Sequence, residues 1–253
     1  MRSIWKGSVS FGLVNIPVKL YSATEKSNPD FDMVDRRDMS RIRYKRVNEN
    51  TGKEIDWNDI AKAHMYKDNY VVLDDEDFEQ AAPEKSKIIE VNHFIDEKEI
   101  DTIYFESSYY VEPEKQGEKA YALLREALRK TGKVGVAQFV LRTAETLSVI
   151  KPKDNVLVLS KIRFAQEIRD PEELKIPSRS LVKQEELKMA VALINQYSKP
   201  FEIEKYKNEY AENLMKVIKA KASGKKGKVR KAKVRQTATE DLMEQLKASL
   251  VES

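Results

Sequence analysis

Cysteine is absent from all 253 residues, which rules out a disulfide framework and any thiolate metal site. Histidine occurs only twice, at His64 and His93, each remote from a spaced carboxylate, so both read as surface or packed side chains rather than ligands. No run of 18 apolar residues occurs and the N-terminus has no signal-peptide apolar stretch, so a cytoplasmic protein without a membrane partner is expected. There is no Walker loop, Gly-x-Ser-x-Gly elbow or His-Glu-x-x-His pair. No enzyme activity, catalytic residue, metal site or cofactor is predicted.

Charge is abundant: 35% of residues are charged and the formal net charge is +4. That average hides an asymmetry. Ten basic residues and no acid lie between Asn213 and Thr239, and without those ten the remainder carries −6. A body of that sign repels polyanions on average and must gather positive charge locally to bind one. The tail cations Lys225, Lys226, Lys228, Arg230, Lys231, Lys233 and Arg235 are one candidate group, although such a run also suits a solvated tail.

The N-terminal segment alternates with period two, Trp5, Gly7, Val9 and Phe11 against Lys6, Ser8 and Ser10, which predicts a half-buried strand. Gly12 allows a reversal into a second strand, and Pro17, lacking an N–H, predicts an edge or bulge there. Arg41-Ile42-Arg43-Tyr44-Lys45 alternates the same way, so a strand is expected with Arg41, Arg43 and Lys45 on one face. Like charges in register point to an anionic partner, and Arg36, Arg37, Arg46 and Lys53 lie close by. Asn50-Thr51-Gly52-Lys53 reads as the turn that folds this ribbon back.

Further strands are expected at 70–73, 87–94, 103–111, 134–141, 147–151 and 156–164, enough short strands for a closed barrel. The aromatic cluster in 104–110 suits core or interface packing, although bases can stack on such residues. Asp74 is the expected N-cap of a helix through Phe78 and Ala81, with Asp75, Glu76 and Asp77 favouring its dipole. The competing use of these acids, as Mg²⁺ ligands of a nuclease, has no other support. Ala120, Leu123, Leu124, Ala127 and Leu128 predict an amphipathic helix capped by Gly132. From Lys183 two more apolar stripes are helical, Leu187, Ala190, Val191 and Ile194, then Ile203, Tyr206, Tyr210, Leu214, Val217 and Ile218. Stripes this apolar call for a partner surface, for which another subunit is a candidate. Thr239–Leu250 shows helical spacing again.

The run Trp-Lys-Gly-Ser-Val-Ser-Phe-Gly-Leu-Val-Asn-Ile-Pro-Val-Lys-Leu-Tyr-Ser-Ala-Thr from Trp5 closely resembles the opening of bacterial Ku proteins. Residues 41–47, 100–105 with 108–110, 120–125 and 186–190 resemble family segments in family order. The resemblance implies a mixed β/α fold. A β-barrel core over 1–166 carries a bridging insertion around 36–67 that closes a ring with its two-fold mate. C-terminal helices over 167–222 support the dimer, and a basic tail with a short terminal helix occupies 223–253.

It also implies sequence-independent binding of double-stranded DNA ends by a nucleoid-associated homodimer in non-homologous end joining, with recruitment of an ATP-dependent DNA ligase D. Arg41, Arg43 and Lys45 would face the duplex. Many relatives carry Cys-x-x-Cys after the basic strand; Asn48-Glu49-Asn50-Thr51 stands there here, leaving the turn to Asn and Gly. The competing reading is an architectural DNA- or RNA-binding protein without end selectivity.

Overall fold

The alternating N-terminal segment forms strand β1, Trp5–Phe11, which reverses at Gly12 (φ +57°) into β2, Val14–Ser22. These elements belong to a computed structural model that describes residues 1–81, 87–141 and 144–224. The chain divides into two compact units. One comprises Met1–Lys26 with Phe31–Arg169, the other Ser27–Asp30 with the chain from Asp170 onward.

In the first unit, β1 and β2 are followed by β3, Lys62–Tyr66, and β4, Asn69–Leu73, then by helix α1, Asp75–Ala81, and β5, Ile88–Asp96. Next come β6, Phe105–Pro113, helix α2, Glu118–Thr131, and β7, Lys133–Leu141. Strands β8, Ala144–Lys153, and β9, Val156–Ile162, complete the unit. Seven strands close a barrel in the order β1-β2-β6-β9-β8-β7-β5, while β3 and β4 form a separate two-stranded sheet.

Six of the seven barrel junctions are antiparallel, and the seventh, between β1 and β5, is parallel over Ser8–Ile88, Val9–Ile89 and Ser10–Glu90. This short seam has reinforcement from Trp5, whose indole Nε1 donates to the Val140 carbonyl at 3.2 Å and whose ring meets Phe139 edge-on at 5.6 Å. Trp5 thus joins β1 to β7 at the end of the barrel that β5 has not yet reached. Gly7 is required beneath that ring, because a Cβ there would lie 2.3 Å from the Trp5 Cη2 and 2.2 Å from the Lys87 carbonyl oxygen.

Pro17 sits in a strand flanked on both sides rather than on an edge strand. The β2–β6 pairing, however, stops at Val18–Pro113, one residue short of it. The Pro17 carbonyl accepts from the Glu114 amide at 2.8 Å, so its missing N–H faces the side where the ladder has ended.

Inward side chains from β1, β2, β5, β6, β7, β8 and β9 form one core with Tyr121, Leu124 and Leu128 of α2. Gly132 ends α2 in the left-handed region (φ +66°), as the sequence predicts. Tyr121 pins the helix to the sheet. Its hydroxyl donates to the Val111 carbonyl at 2.8 Å and accepts from the Leu157 amide at 2.7 Å, at the last pair of the β6–β9 ladder. Burial pushes this phenol above the ordinary tyrosine value, which keeps the donor proton in place. Most of the aromatic cluster is structural: Tyr109 packs on the core, and Tyr104 and Phe105 join a second cluster with Val134, Val149 and Ile162.

The second unit contains α3, Gln184–Tyr197, and α4, Glu209–Ala222. Ile203 and Tyr206, expected on one stripe with Tyr210, fall instead in a short turn at Ile203–Lys205 and just beyond it. Helix α4 begins only after Asn208, whose Oδ1 accepts from the Ala211 amide at 3.1 Å and whose Nδ2 donates to the Ser27 hydroxyl at 2.7 Å. Leu187, Val191, Ile194 and Tyr210 are exposed.

Replacing Tyr121 by Phe removes one hydroxyl and leaves two buried backbone groups unsatisfied. A loss of about 1–3 kcal/mol in urea unfolding is expected; an unchanged midpoint would mean that the hydroxyl does not tie the helix to the sheet.

Candidate nucleic-acid interface

Between β2 and β5 the chain makes an insertion in which the predicted basic residues lie. Six cations stand between Arg36 and Arg46 against one acid, Asp38. The expected strand at 41–45 does not form. This stretch makes only isolated antiparallel bridges, Val34–Arg41 at one end and Val47–Glu54 at the other. The alternation is that of a strand, but the neighbours on each side reach it through single turns too short to build a ladder.

Each turn is locally held. In the first, Asp35 accepts from the Arg37 amide and guanidinium, at 2.9 Å and 2.6–3.2 Å, and these bonds hold its carboxyl below the usual aspartate range. The loop closes through the Asp35 amide on the Ser40 carbonyl at 2.8 Å, with Met39 at φ +60°. In the second, the Asn48 side-chain oxygen accepts from the amides of Asn50 and Thr51 at 3.0 and 3.1 Å, and the Gly52 amide donates to the Asn48 carbonyl at 2.8 Å. Gly52 has φ +66°, a conformation that suits glycine. Asn and Gly therefore build the predicted turn.

The seven candidate cations here are in three different states. Arg37, Arg41 and Lys45 are paired with Asp35, Asp32 and Glu54 at 2.6, 2.9 and 2.5 Å. Arg46 lies over the Trp57 ring, 4.2 Å from its centroid, a cation–π contact. The side chains of Arg36, Arg43 and Lys53 have no ion pair or hydrogen bond among the described residues. All seven are exposed. The seven tail candidates from Lys225 to Arg235 lie outside the described residues, as does the stretch Thr239–Leu250.

Sequence reasoning missed the β3 strand and its hairpin with β4. The turn is Lys67-Asp68, with φ +45° and +67°, so the two-residue reversal that favours Asn-Gly is made without glycine. Every residue of β3 is exposed, and of β4 only Leu73 is half-covered. Phe31, Tyr44, Trp57, Met65, Tyr70 and Val72 are likewise exposed, an unusual apolar load beside a cationic ribbon.

Asp74 caps α1 as expected, in a reciprocal arrangement. Its Oδ1 accepts from the Asp77 amide at 3.0 Å, and the Asp77 carboxylate accepts from the Asp74 amide at 2.9 Å. Both carboxylates are occupied by the helix start. His64 and His93 are exposed on β3 and β5. No group of three or more acidic or histidine side chains among the described residues has the placement of a metal site. No described helix is long and apolar enough to cross a membrane.

Fold and site thus define a closed-barrel protein with a long insertion, carrying a local cluster of cations at Arg36–Arg46, between its second barrel strand and the strand that closes the barrel. The family profile described as "Ku70/Ku80 beta-barrel domain" matches residues 10–189. Three relatives, each named "Non-homologous end joining protein Ku", are similar over most of their length. That of Coxiella burnetii is 40% identical over 99% of this chain and 94% of its own, and that of Archaeoglobus fulgidus 42% over 89% and 90%. The Bacillus subtilis protein is 39% identical over 99% of this chain and 82% of its own. The chain belongs to the Ku family.

This turn is held by the Asn48 side chain together with the left-handed Gly52. Chelator treatment is expected to leave the thermal midpoint unchanged, whereas Asn48→Ala should accelerate hydrogen exchange at the Asn50 and Thr51 amides without altering the barrel amides. A chelator-induced fall in the midpoint would contradict this account.

Proposed function

We propose that this chain binds the ends of double-stranded DNA without reading sequence, as a homodimeric ring acting in non-homologous end joining. The observation that carries the reading is the exposed ribbon Arg36–Arg46, six cations against one acid, in the insertion of a Ku-family barrel. Duplex DNA carries about one charge per 1.7 Å, and cations that neutralise it gain free energy by releasing counterions. Contacts of this kind position a duplex without selecting its bases. Arg36, Arg37, Arg41, Arg43, Lys45, Arg46 and Lys53 are the proposed backbone contacts, supplemented by the lysine-rich segment beyond Gly224.

End preference follows from topology in this reading. A closed ring admits a duplex only at a terminus. Pairing with a second copy is supported by the exposed aromatic and aliphatic side chains of the insertion and by the uncovered stripes of α3 and α4, which a lone chain leaves in water. The chain is read as a non-catalytic binding protein. Recruitment of an ATP-dependent DNA ligase is assigned to the segment Thr239–Leu250, whose leucines recur at helical spacing.

Competition between linear and covalently closed circular DNA at equal phosphate concentration tests the ring. Linear DNA is expected to win, and the solution mass to be twice 29.3 kDa; equal competition would favour an architectural binder without end selectivity. Changing Arg41, Arg43 and Lys45 together to Ala should flatten the slope of log affinity against log salt by up to about 0.9 per lost phosphate contact. An unchanged slope would remove these side chains from the interface.

A further inference from the structure

The insertion from Phe31 to Leu73 holds nine basic residues and eight acidic ones, so its positive charge is local rather than general. Three of the acids, Asp32, Asp35 and Glu54, pair with proposed phosphate contacts, and two of them do so across a bridged loop. The loop closed by the Val34–Arg41 bridge brings Asp32 to Arg41, Oδ2 to Nη2 at 2.9 Å, and the loop closed by Val47–Glu54 brings Glu54 to Lys45, Oε2 to Nζ at 2.5 Å. Each pair spans nine residues. Both partners in each are largely exposed, 78% and 68% in the first and 71% and 56% in the second.

We propose that Asp32 and Glu54 are internal competitors for the DNA phosphates, positioning residues that limit how tightly the insertion grips a duplex. The inference rests on the DNA-binding reading above. A carboxylate and a phosphate oxygen make the same demand on Arg41 or Lys45, a charge-assisted bond to a single anionic group. A duplex therefore takes each cation from its carboxylate rather than from water. The exchange is easy because exposed pairs are weak. It also changes the salt dependence: phosphate contact releases condensed counterions and weakens with salt, whereas breaking the internal ion pair becomes easier as salt screens it. Each exchanged pair thus lowers the salt slope below that of a free cation. The consequence is a grip of near-equal alternatives, phosphate or carboxylate.

Asp35 is excluded from this role because it also accepts from the Arg37 backbone amide and so shapes its own turn. Asp59 is the control: it lies in the same insertion and pairs with no cation among the described residues.

Titrations of a linear duplex across a salt series should be run with Asp32→Asn, Glu54→Gln, the double variant and Asp59→Asn. Each of the first two is expected to tighten binding about two- to fivefold at fixed salt, the factor by which an exposed pair competes, and to steepen the slope. The double variant should exceed both, slow dissociation, and retain the wild-type thermal midpoint. Asp59→Asn should give a smaller change. Equal tightening by Asp59→Asn would reduce the effect to net charge and overturn the inference. So would unchanged binding in the double variant when Arg41→Ala with Lys45→Ala still flattens the slope. If the Arg41 and Lys45 changes also have no effect, the DNA contact at this ribbon fails and the inference goes with it.

Discussion

Seven strands cannot alternate direction all the way around a closed ring; one junction must be parallel. In this barrel it falls between β1 and β5 and is only three residue pairs long. The rest of the first unit is arranged around that obligatory seam. Trp5 spans it at the end β5 does not reach, Gly7 leaves room for the indole, and α2 packs its tyrosine and leucines against the closed core. The seam also dictates where the insertion leaves and returns. Because β2 runs against β1 and β5 runs with it, the end of β2 and the start of β5 lie toward the same end of the barrel, on opposite sides of β1.

The barrel was legible in the sequence because its side chains obey a period. The Trp5–Phe11 alternation, the helical spacing of Ala120 to Leu128 and the glycine at 132 each report a local rule that the tertiary structure also obeys. Pro17 was half legible: a missing donor signals a gap in pairing, but the sequence does not say that the ladder with β6 stops at Val18 while Val14 to Pro17 stay paired with β1. The insertion was harder because its geometry comes from side chains bonding to nearby backbone. Arg41 to Lys45 has a strand's alternation without a strand's neighbours. The β3–β4 hairpin turns at Lys67-Asp68, where the usual glycine signal is missing.

The candidate interface shows the same division. Its residue types and their clustering could be read directly from the chain, since six cations against one acid need no coordinates. Their states could not. Arg41 and Arg43 look equivalent as letters two residues apart, yet one is engaged by Asp32 and the other has no partner among the described residues. Arg46 lies over the ring of Trp57, eleven positions away, a pairing that no short-range pattern announces.

The placement of the insertion's two roots on either side of one strand has a consequence for how such a molecule can vary. Loop-closure entropy grows only with the logarithm of loop length, about 0.6 kcal/mol for each doubling. The barrel is therefore nearly indifferent to how much chain is strung between Ser22 and Ile88. Residues can be added or removed there over evolutionary time without disturbing the register of a single barrel strand. The span of that excursion is left to be set by demands other than the folding of the barrel.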